Sequence, residues 1–496
     1  MTNLQLQTKI FLGAVSGIIV ARSFAPTNAW FVIPIGIAIW WAGTHRRTLS
    51  DYLFFSFFFA FGFWFTHISW LSLVGIDAYI LLATLMSIIY GFSGYLMFKV
   101  KDLPLPFIWY GLIFISIETI TDYVPFGGFP WGKIAYASAD ASWANLIPYG
   151  SSPLVTVSIL TISALIIPSF GFLLQKAISA SMVFIIFIVA LNLLMFEIKV
   201  PDEKKTGTIN LAIVQGSVPR TGLLFNEQKM AVLQYHAKET DILLENNTKS
   251  VDAILWPENS IDVDPFANEE AGQIIQSILQ KYNKPLLSGA VLQKNNGLAN
   301  SILLWIPKNN EVYDSYQKSI LVPFGEYLPF RDLLSKFIKR FDLIPQDFIP
   351  GTETNNLLVA ESSISPIICF EVAWNKTLIN QITNGGELIS VHTNNATYAF
   401  SNQIDQQFMI SRIRAMETGR DVVVTATTGT SAHIDRHGDI LWSSKEFVPQ
   451  SEIVTASLYT DITPAVKYAS IIERLSLFGF VIPFIMLFIR YVRRKI

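Results

Sequence analysis

The sequence predicts a multi-span α-helical membrane domain joined to an α/β external domain, with one more membrane helix after it. Three observations carry that expectation. Of 496 residues, 51% are hydrophobic and 15% charged, against about 25% charged in a typical soluble domain. The apolar excess is confined to residues 1–200 and 472–489, and residues 205–460 have ordinary soluble composition. Within that middle stretch short apolar runs alternate with helical patterns, which implies sheets covered by helices.

The membrane segments come first. Crossing about 30 Å of hydrocarbon takes roughly 17–25 apolar residues. Such runs lie near 8–24, 28–43, 52–72, 78–98, 105–121, 153–175, 178–198 and 472–489, the second and fifth being short. Lys9 before the first run and Ser23-Phe24-Ala25 after it resemble a cleavable leader. Further spans follow, so an uncleaved first span is expected. Orientation follows from Lys and Arg near the span ends. Arg46 and Arg47, Lys99 and Lys101, Lys176, and Arg490, Arg493, Arg494 and Lys495 all fall on one side if the N-terminus is cytoplasmic. Seven helices in 1–200 then deliver a domain at 205–465 to the external side, and an eighth helix at 472–490 returns the chain. The external loop at 122–152 carries Phe126, Phe129, Trp131 and Tyr136. These rings suit the headgroup level of a bilayer, either packing there or holding a lipid beneath the external domain.

The external domain opens with a strand at 208–215. A helix near 226–247 leads to a strand ending in Trp256-Pro257-Glu258, and a helix near 267–283 leads to PLLSGAV. ANSILLWIP and EVYDSYQKS pair across a turn at Lys308-Asn309-Asn310. ISPIICFE, ELISVHT and DVVVTAT are strands, with a helix over QQFMISRIRAMETGR and a hairpin around Gly438. About 260 residues suffice for one core.

Composition excludes several classes. A net charge of −2 gives a nucleic-acid partner no electrostatic support. The single cysteine forbids an intramolecular disulfide. No phosphate-cradling glycine motif is present, so no nucleotide or other cofactor is expected. His433 and His437 flank a hairpin turn and read as solvated, so no metal is expected.

The chemistry-bearing residues stand where apolar runs give way to polar sequence: Glu258 in VDAILWPENS, Lys318 in YQKSILVPFGEYLP and Cys369 in ISPIICFEVAW. The thiolate is the nucleophilic form of cysteine, and an unperturbed thiol titrates near pKa ~8.5. Lys318 is the candidate cation and oxyanion stabiliser. Glu258 is the candidate proton carrier. Glu326 and Glu371 are the remaining acids at this mouth, placed to orient Lys318 or support the site. A Cys–His pair with His392 is a competing arrangement, but it leaves Glu258 and Lys318 without a role.

These words resemble the active-site words of the bacterial apolipoprotein N-acyltransferases, a membrane branch of the nitrilase or carbon-nitrogen hydrolase superfamily. Lys318 followed by LVPFGEYLP is the most specific; VQGSVP at 214–219, GGFPWG at 127–132 and RIRAMETGR at 412–420 add to it. The resemblance spans nearly the whole chain. It implies a four-layer α-β-β-α sandwich for the external domain. It implies catalytic Glu258, Lys318 and Cys369, with Glu326, Glu371 and Phe370 in support, and substrate contacts at Phe129, Trp131, Phe225, Asn394 and Tyr398. It also implies a ping-pong reaction in the inner membrane, with the catalytic domain periplasmic. A phospholipid acylates Cys369, and the N-terminal amine of a diacylglyceryl-cysteine apolipoprotein takes the chain. A monomer is expected. Departures are Phe370 where the family often has tyrosine, Asn394-Asn395-Ala396-Thr397-Tyr398-Ala399 where it tends to Asn-Asp-Ala-Trp-Phe-Gly, and Leu224-Phe225 where a tryptophan is frequent. These bear on lipid and acceptor preference. The alternatives are a membrane-tethered amidase with water as acceptor and a transporter or receptor without chemistry; few intramembrane charges argue against the last.

Overall fold

The computed structural model describes residues 3–44, 47–199, 204–218, 220, 230–308, 311–334 and 346–493. Arg46, Leu224, Phe225, Asn309, Asn310, Lys336, Lys339, Arg340, Arg494 and Lys495 lie outside the described residues. The chain divides into two compact units, Met1–Pro201 with Tyr468–Ile496, and Asp202–Lys467.

The first unit is helical: α1 (Asn3–Ala21), α2 (Ile33–Thr44), α3 (Leu49–His67), α4 (Ile76–Gly91), α5 (Ser93–Val100), α6 (Pro106–Ile120), α7 (Ile147–Leu174) and α8 (Ile178–Phe196). Local signals set the ends. Thr48 caps α3 and Asp51 closes a capping box. Pro106 opens α6, where a missing N–H loses nothing. Gly150 and Ser151 depart from helical angles, so the regular part of α7 starts near Pro153. Small residues let α1 and α3 touch: a Cβ on Gly17 would lie 1.9 Å from the Phe59 carbonyl oxygen, and one on Gly62 would lie 2.1 Å from that of Ala14. Close approach through small residues is how helices associate without a hydrophobic drive in lipid.

The eight apolar runs fall on helices, and those helices differ in length. Leu49–His67, Ile76–Val100, Ser142–Leu174 and Ile178–Phe196 are long and apolar enough to cross a membrane. Leu6–Ala21, Trp30–Thr44 and Pro106–Ile120 are apolar but shorter. The last run is two helices, Ala469–Phe478 and Val481–Arg493, bent by 45°. Pro483 explains the break, because its ring clashes with the carbonyl of Gly479 and it supplies no N–H. In α8 only 11% of the apolar window is buried, a surface that suits hydrocarbon rather than water. The molecule is a membrane protein.

The 122–152 loop takes the packed one of its two expected arrangements. Phe129, Trp131 and Tyr136 turn inward and are buried, while Phe126 stays exposed. Trp131 packs on Trp70 with ring centroids 5.8 Å apart, and Phe129 on Trp64 at 6.0 Å. Hydrogen bonds pin the loop: Glu118 accepts from the Ile134 N–H at 2.8 Å, and Lys133 pairs with Asp122 at 2.7 Å. Packing accounts for Phe129 and Trp131.

The second unit carries two six-stranded sheets. Its elements in order are β1 (Lys205–Gln215), α9 (Ala231–Glu245), β2 (Ala253–Leu255), α10 (Glu269–Tyr282), β3 (Leu286–Lys294), β4 (Gly297–Ile306), β5 (Glu311–Gln317), α11 (Arg331–Leu334), β6 (Leu357–Val359), β7 (Ser362–Ile368), α12 (Asn375–Thr383), β8 (Leu388–Thr393), α13 (Asn402–Thr418), β9 (Val422–Ala426), β10 (Ala432–Ile434), β11 (Ile440–Ser443), β12 (Gln450–Tyr459) and α14 (Pro464–Lys467). The sheet orders are β12-β1-β2-β3-β4-β5 and β11-β10-β9-β8-β7-β6. β1, β2 and β3 are parallel, as are β7, β8 and β9. Leu211, Ile213, Leu255 and Ile302 of the first sheet share one core with Ile364, Ile368, Leu388 and Val423 of the second. The outer face of the first sheet packs on α9 and α10 through Leu233, Ile275 and Leu279. Helices α12 and α13 pack on β7 and β9 of the second sheet. The result is an α-β-β-α sandwich. Parallel strands buried on both faces explain the unbroken apolar runs that mark β7 to β9 in the sequence.

Candidate active site

Three chain segments leave the C-terminal ends of β2, β5 and β7 and bring Glu258, Lys318 and Cys369 together. Lys318 is 1% exposed, and its Nζ lies 2.8 Å from Glu326 Oε1 and 3.4 Å from Glu258 Oε1. Burial opposes its charge, but the Glu326 and Glu258 carboxylates outweigh burial and hold the ammonium well above the usual lysine range. Lys318 is therefore a fixed cation. Cys369 feels the charges of Glu258, Lys318 and Glu326. Burial first, and Glu258 next, push its thiol up to about 12 against the pull of Lys318. Two carboxylates face one ammonium here, so the resting sulfur keeps its proton.

Cys369 stands just beyond the strand expected to present it. Strand β7 stops at Ile368, and Cys369 begins a 3-10 turn to Ala373 with φ +51°. A left-handed backbone costs a non-glycine residue about 1–2 kcal/mol, and such strain is held by its surroundings. Glu371 supplies much of the hold. One oxygen accepts from the Ser319 N–H at 2.7 Å, the Ser319 hydroxyl at 2.8 Å and the Ile320 N–H at 3.0 Å; the other accepts from the Ile368 N–H at 3.0 Å. The Tyr316 hydroxyl reaches both oxygens at 3.0 Å. Glu371 is fully buried, which corrects its expected place at the mouth. It ties the residues after Lys318 to the turn that carries Cys369. Burial raises its pKa, opposed by these donors.

Glu326 contacts Lys318 directly and accepts from the Val322 N–H at 2.7 Å. Phe370 packs edge-on against Trp374, with ring centroids 4.6 Å apart. The Asn394 N–H donates to Glu258 Oε2 at 2.8 Å. Tyr398 is half-buried, and its phenol is raised by burial and then by the charge of Cys369. Phe225 lies outside the described residues, and Phe129 and Trp131 belong to the helical unit's packing.

Several residues escaped sequence reasoning. Asn300 of β4 donates from one Nδ2 to Glu258 Oε1 at 2.7 Å and Glu326 Oε1 at 3.1 Å. Its signal was a polar residue inside the buried run ANSILLWIP. Thr427 donates to the Glu258 carbonyl at 3.0 Å. Gly289 of β3 has no room for a side chain: a Cβ there would lie 2.4 Å from the Pro257 carbonyl oxygen and 2.6 Å from Glu258 Cα. That close approach seats Glu258.

The competing histidines are accounted for. His392 Nδ1 lies 2.8 Å from the Trp256 carbonyl oxygen and Nε2 lies 2.9 Å from Ser390 Oγ. Burial pushes it down to about 4, so it is neutral and engaged elsewhere. His433 is buried against Asp421 at 3.1 Å, which corrects its expected solvation; His437 is exposed. Among the described residues no group of three or more His, Cys, Asp or Glu side chains is arranged to hold a metal.

The family model described as apolipoprotein N-acyltransferase N-terminal domain matches residues 16–165, and the one described as carbon-nitrogen hydrolase matches residues 210–464. The apolipoprotein N-acyltransferase of Mycolicibacterium smegmatis is 30% identical over 486 residues, covering 92% of this chain and 81% of the relative. This chain belongs to the apolipoprotein N-acyltransferase family. The apolipoprotein N-acyltransferase of Photobacterium profundum is 28% identical over 483 residues, covering 92% of this chain and 89% of the relative. A solved amidase of the nitrilase superfamily from Nesterenkonia aligns with TM-score 0.40 and 15% identity, over 55% of this chain and 98% of that one. The protein is an acyltransferase of the nitrilase superfamily, and membership favours acyl transfer over the amidase alternative.

Proposed function

We propose that Cys369 is the nucleophile of a phospholipid-to-apolipoprotein acyl transfer, with Glu258 as proton carrier and Lys318 as oxyanion stabiliser. The observation that carries this reading is the buried Lys318 ammonium, set between Glu258 and Glu326 and felt by the one cysteine in the chain.

Glu258 Oε1 already accepts from Asn300 and Lys318, while among the described residues Oε2 accepts from the Asn394 N–H alone. A carboxylate oxygen has two lone pairs, so Oε2 is the oxygen with room for the thiol proton. As sulfur attacks the ester carbonyl of a phospholipid, the proton passes to Glu258. Lys318 has three N–H donors, two of them turned to carboxylates, and the third meets the developing oxyanion. The ester C–O bond breaks, Glu258 protonates the lysophospholipid oxygen, and the acyl chain stays on Cys369 as a thioester. The N-terminal amine of a diacylglyceryl-cysteine apolipoprotein then attacks. Glu258 takes the amine proton, an amide forms, and the C–S bond breaks to restore the thiol. Glu326 and Asn300 keep the Lys318 and Glu258 groups in place.

Both substrates are lipid-anchored, so a site at the membrane face gains by orientation and by a two-dimensional search. Lys99, Lys101, Lys176, Arg490 and Arg493 flank the apolar helices on one side if every apolar run crosses. That orientation gives a cytoplasmic basic face, a periplasmic catalytic unit and cytoplasmic termini in a bacterial inner membrane.

Incubating the purified protein with phospholipid and a diacylglyceryl lipopeptide tests this. The expected result is lysophospholipid and N-acylated lipopeptide in equal amounts, both absent for Cys369→Ala. Acylated lipopeptide from Cys369→Ala at the unmodified rate overturns it.

A further inference from the structure

His392 is not the partner of the sulfur, yet its place in the fold ties the nucleophile to the acid. In the parallel pairing of β7 and β8 it stands opposite Ile368, the residue before Cys369. Its side chain leaves that sheet and crosses the sandwich. There Nδ1 lies 2.8 Å from the carbonyl oxygen of Trp256, two residues before Glu258. A carbonyl can only accept, so Nδ1 carries the ring proton. Nε2 of the neutral ring then accepts from the Ser390 hydroxyl at 2.9 Å. His392, Ser390 and Trp256 are each 0% exposed, so water does not reach this bond.

Trp256 is where the first sheet begins to lose the chain. Strand β2 ends at Leu255. The Trp256 N–H still reaches the Leu287 carbonyl of β3 at 2.8 Å, but Pro257 has no N–H to give. From there the carbonyls alternate between the two sheets. That of Trp256 accepts from His392 of β8, and that of Pro257 accepts from the Gly289 N–H of β3 at 3.1 Å. That of Glu258 accepts at 3.0 Å from Thr427, one residue past β9. The Glu258 carboxylate accepts at 2.8 Å from the N–H of Asn394, one residue past β8. The acid thus follows a strand of the first sheet, but the second sheet holds it before the residue, at its carbonyl and at its side chain. The same sheet delivers Cys369 from β7, and His392 pairs with Ile368 on one side and Thr425 of β9 on the other.

We infer that His392 is a positioning residue whose Nδ1–H bond to the Trp256 carbonyl sets how far Glu258 stands from the Cys369 sulfur. It does so by tying the end of the acid's strand to the strand register that carries the nucleophile. A planar ring suits the task, because its reach is fixed. A leucine would fill the space and leave the Trp256 carbonyl buried without its donor, so the Trp256-Pro257-Glu258 segment would shift. This inference rests on the roles proposed above for Glu258 and Cys369. No bond forms or breaks at His392, and its ring proton stays in place throughout.

The two ring nitrogens make the test specific to one atom. Full-length protein in detergent is assayed for single-turnover lysophospholipid release and for acyl transfer against phospholipid concentration, with the thermal midpoint measured alongside. His392→Leu should lower kcat about tenfold to a hundredfold with KM within about twofold, as a misplaced catalytic group does. His392→Asn puts an amide N–H the same number of bonds from Cα as Nδ1, and should recover kcat to within about fivefold of the unmodified protein. His392→Gln puts it as far out as Nε2 and should stay with His392→Leu. Iodoacetamide at about pH 10 meets a thiolate formed without help from Glu258, so alkylation of the lone thiol should be at least as fast in all three variants. A His392→Leu protein with unmodified kcat and a lowered thermal midpoint would make the histidine a packing residue and overturn the inference. If His392→Leu does not fold, the other two variants decide, and equal kcat in His392→Asn and His392→Gln overturns it. Alkylation that falls in step with kcat would place the fault at the sulfur rather than the acid and also overturns it. Acyl transfer retained by Cys369→Ala would instead overturn the nucleophile reading, a result the His392 variants cannot produce.

Discussion

Two clusters of carboxylate meet near Cys369, and they are built in opposite ways. Glu258 and Glu326 share one ammonium and one amide, Lys318 and Asn300, so their charge is balanced by groups that can move protons or face substrate. Among the described residues Glu371 accepts hydrogen bonds from neutral donors alone, namely three backbone N–H groups and the hydroxyls of Ser319 and Tyr316. Under the proposed mechanism the same residue type carries protons in one place and holds the architecture a few residues from the sulfur in another. Burial alone does not mark a catalytic acid; the partner set does.

The largest expected effects break the charged side. Lys318→Met, Glu258→Gln and Cys369→Ala should each lower acyl transfer by roughly a thousandfold or more, measured as N-acylated lipopeptide. Lys318→Met should also lower the thermal midpoint, because it leaves the buried Glu258 and partly buried Glu326 carboxylates without their cation. Adding Glu326→Gln should recover stability without recovering activity. If the double variant recovered activity, Lys318 would be structural.

Glu371→Gln tests the neutral side. The side-chain NH2 would face donors, so stability should fall by about 2–4 kcal/mol by denaturant titration. Any activity loss should track the unfolded fraction. A stable, inactive Glu371→Gln would place Glu371 in the chemistry and erase the contrast.

A third prediction sharpens the comparison by pH. The folded thiol sits at about 12, so alkylation should be slow at neutral pH and rise through pH 10 to 12. Glu258→Gln and Glu326→Gln remove negative charge and should move the rise to lower pH; Lys318→Met should move it to higher pH. The linkage has a definite sign. A thiol with a raised folded pKa adds stability that is complete below its unfolded pKa, near 9, and is lost as pH climbs toward 12. The smallest expected effect comes from Gly289→Ala, which pushes on Pro257 and Glu258 from beneath. Turnover should fall about tenfold to a hundredfold with the fold retained, since small misplacements of a catalytic group are costly.

The sequence displays the acyl-transfer side of this contrast far better than the supporting side. Glu258 and Cys369 announce themselves at the ends of apolar runs, and Lys318 by the LVPFGEYLP word that follows it. The buried β-strands are legible for a related reason, as unbroken Val and Ile runs. Asn300 and His392 are harder, because a single polar residue in a strand carries no mark of what it faces across the sandwich. Glu371 looks like a rim acid, since nothing local says that Tyr316, Ser319 and Ile320 fold over it. The helical unit shows the same limit. Apolar runs locate its helices, but hydropathy alone leaves the bend before Pro483 unseen and the rings of Phe129 and Trp131 facing the wrong way.

The most direct test of the central assignment is intact and peptide mass spectrometry of the full-length protein purified from membranes, before and after hydroxylamine. The account predicts a fatty-acyl mass on the peptide containing Cys369, removed by hydroxylamine and missing from Cys369→Ala. An acyl chain carried on any other residue, in a protein that still transfers it to lipopeptide, would contradict the account.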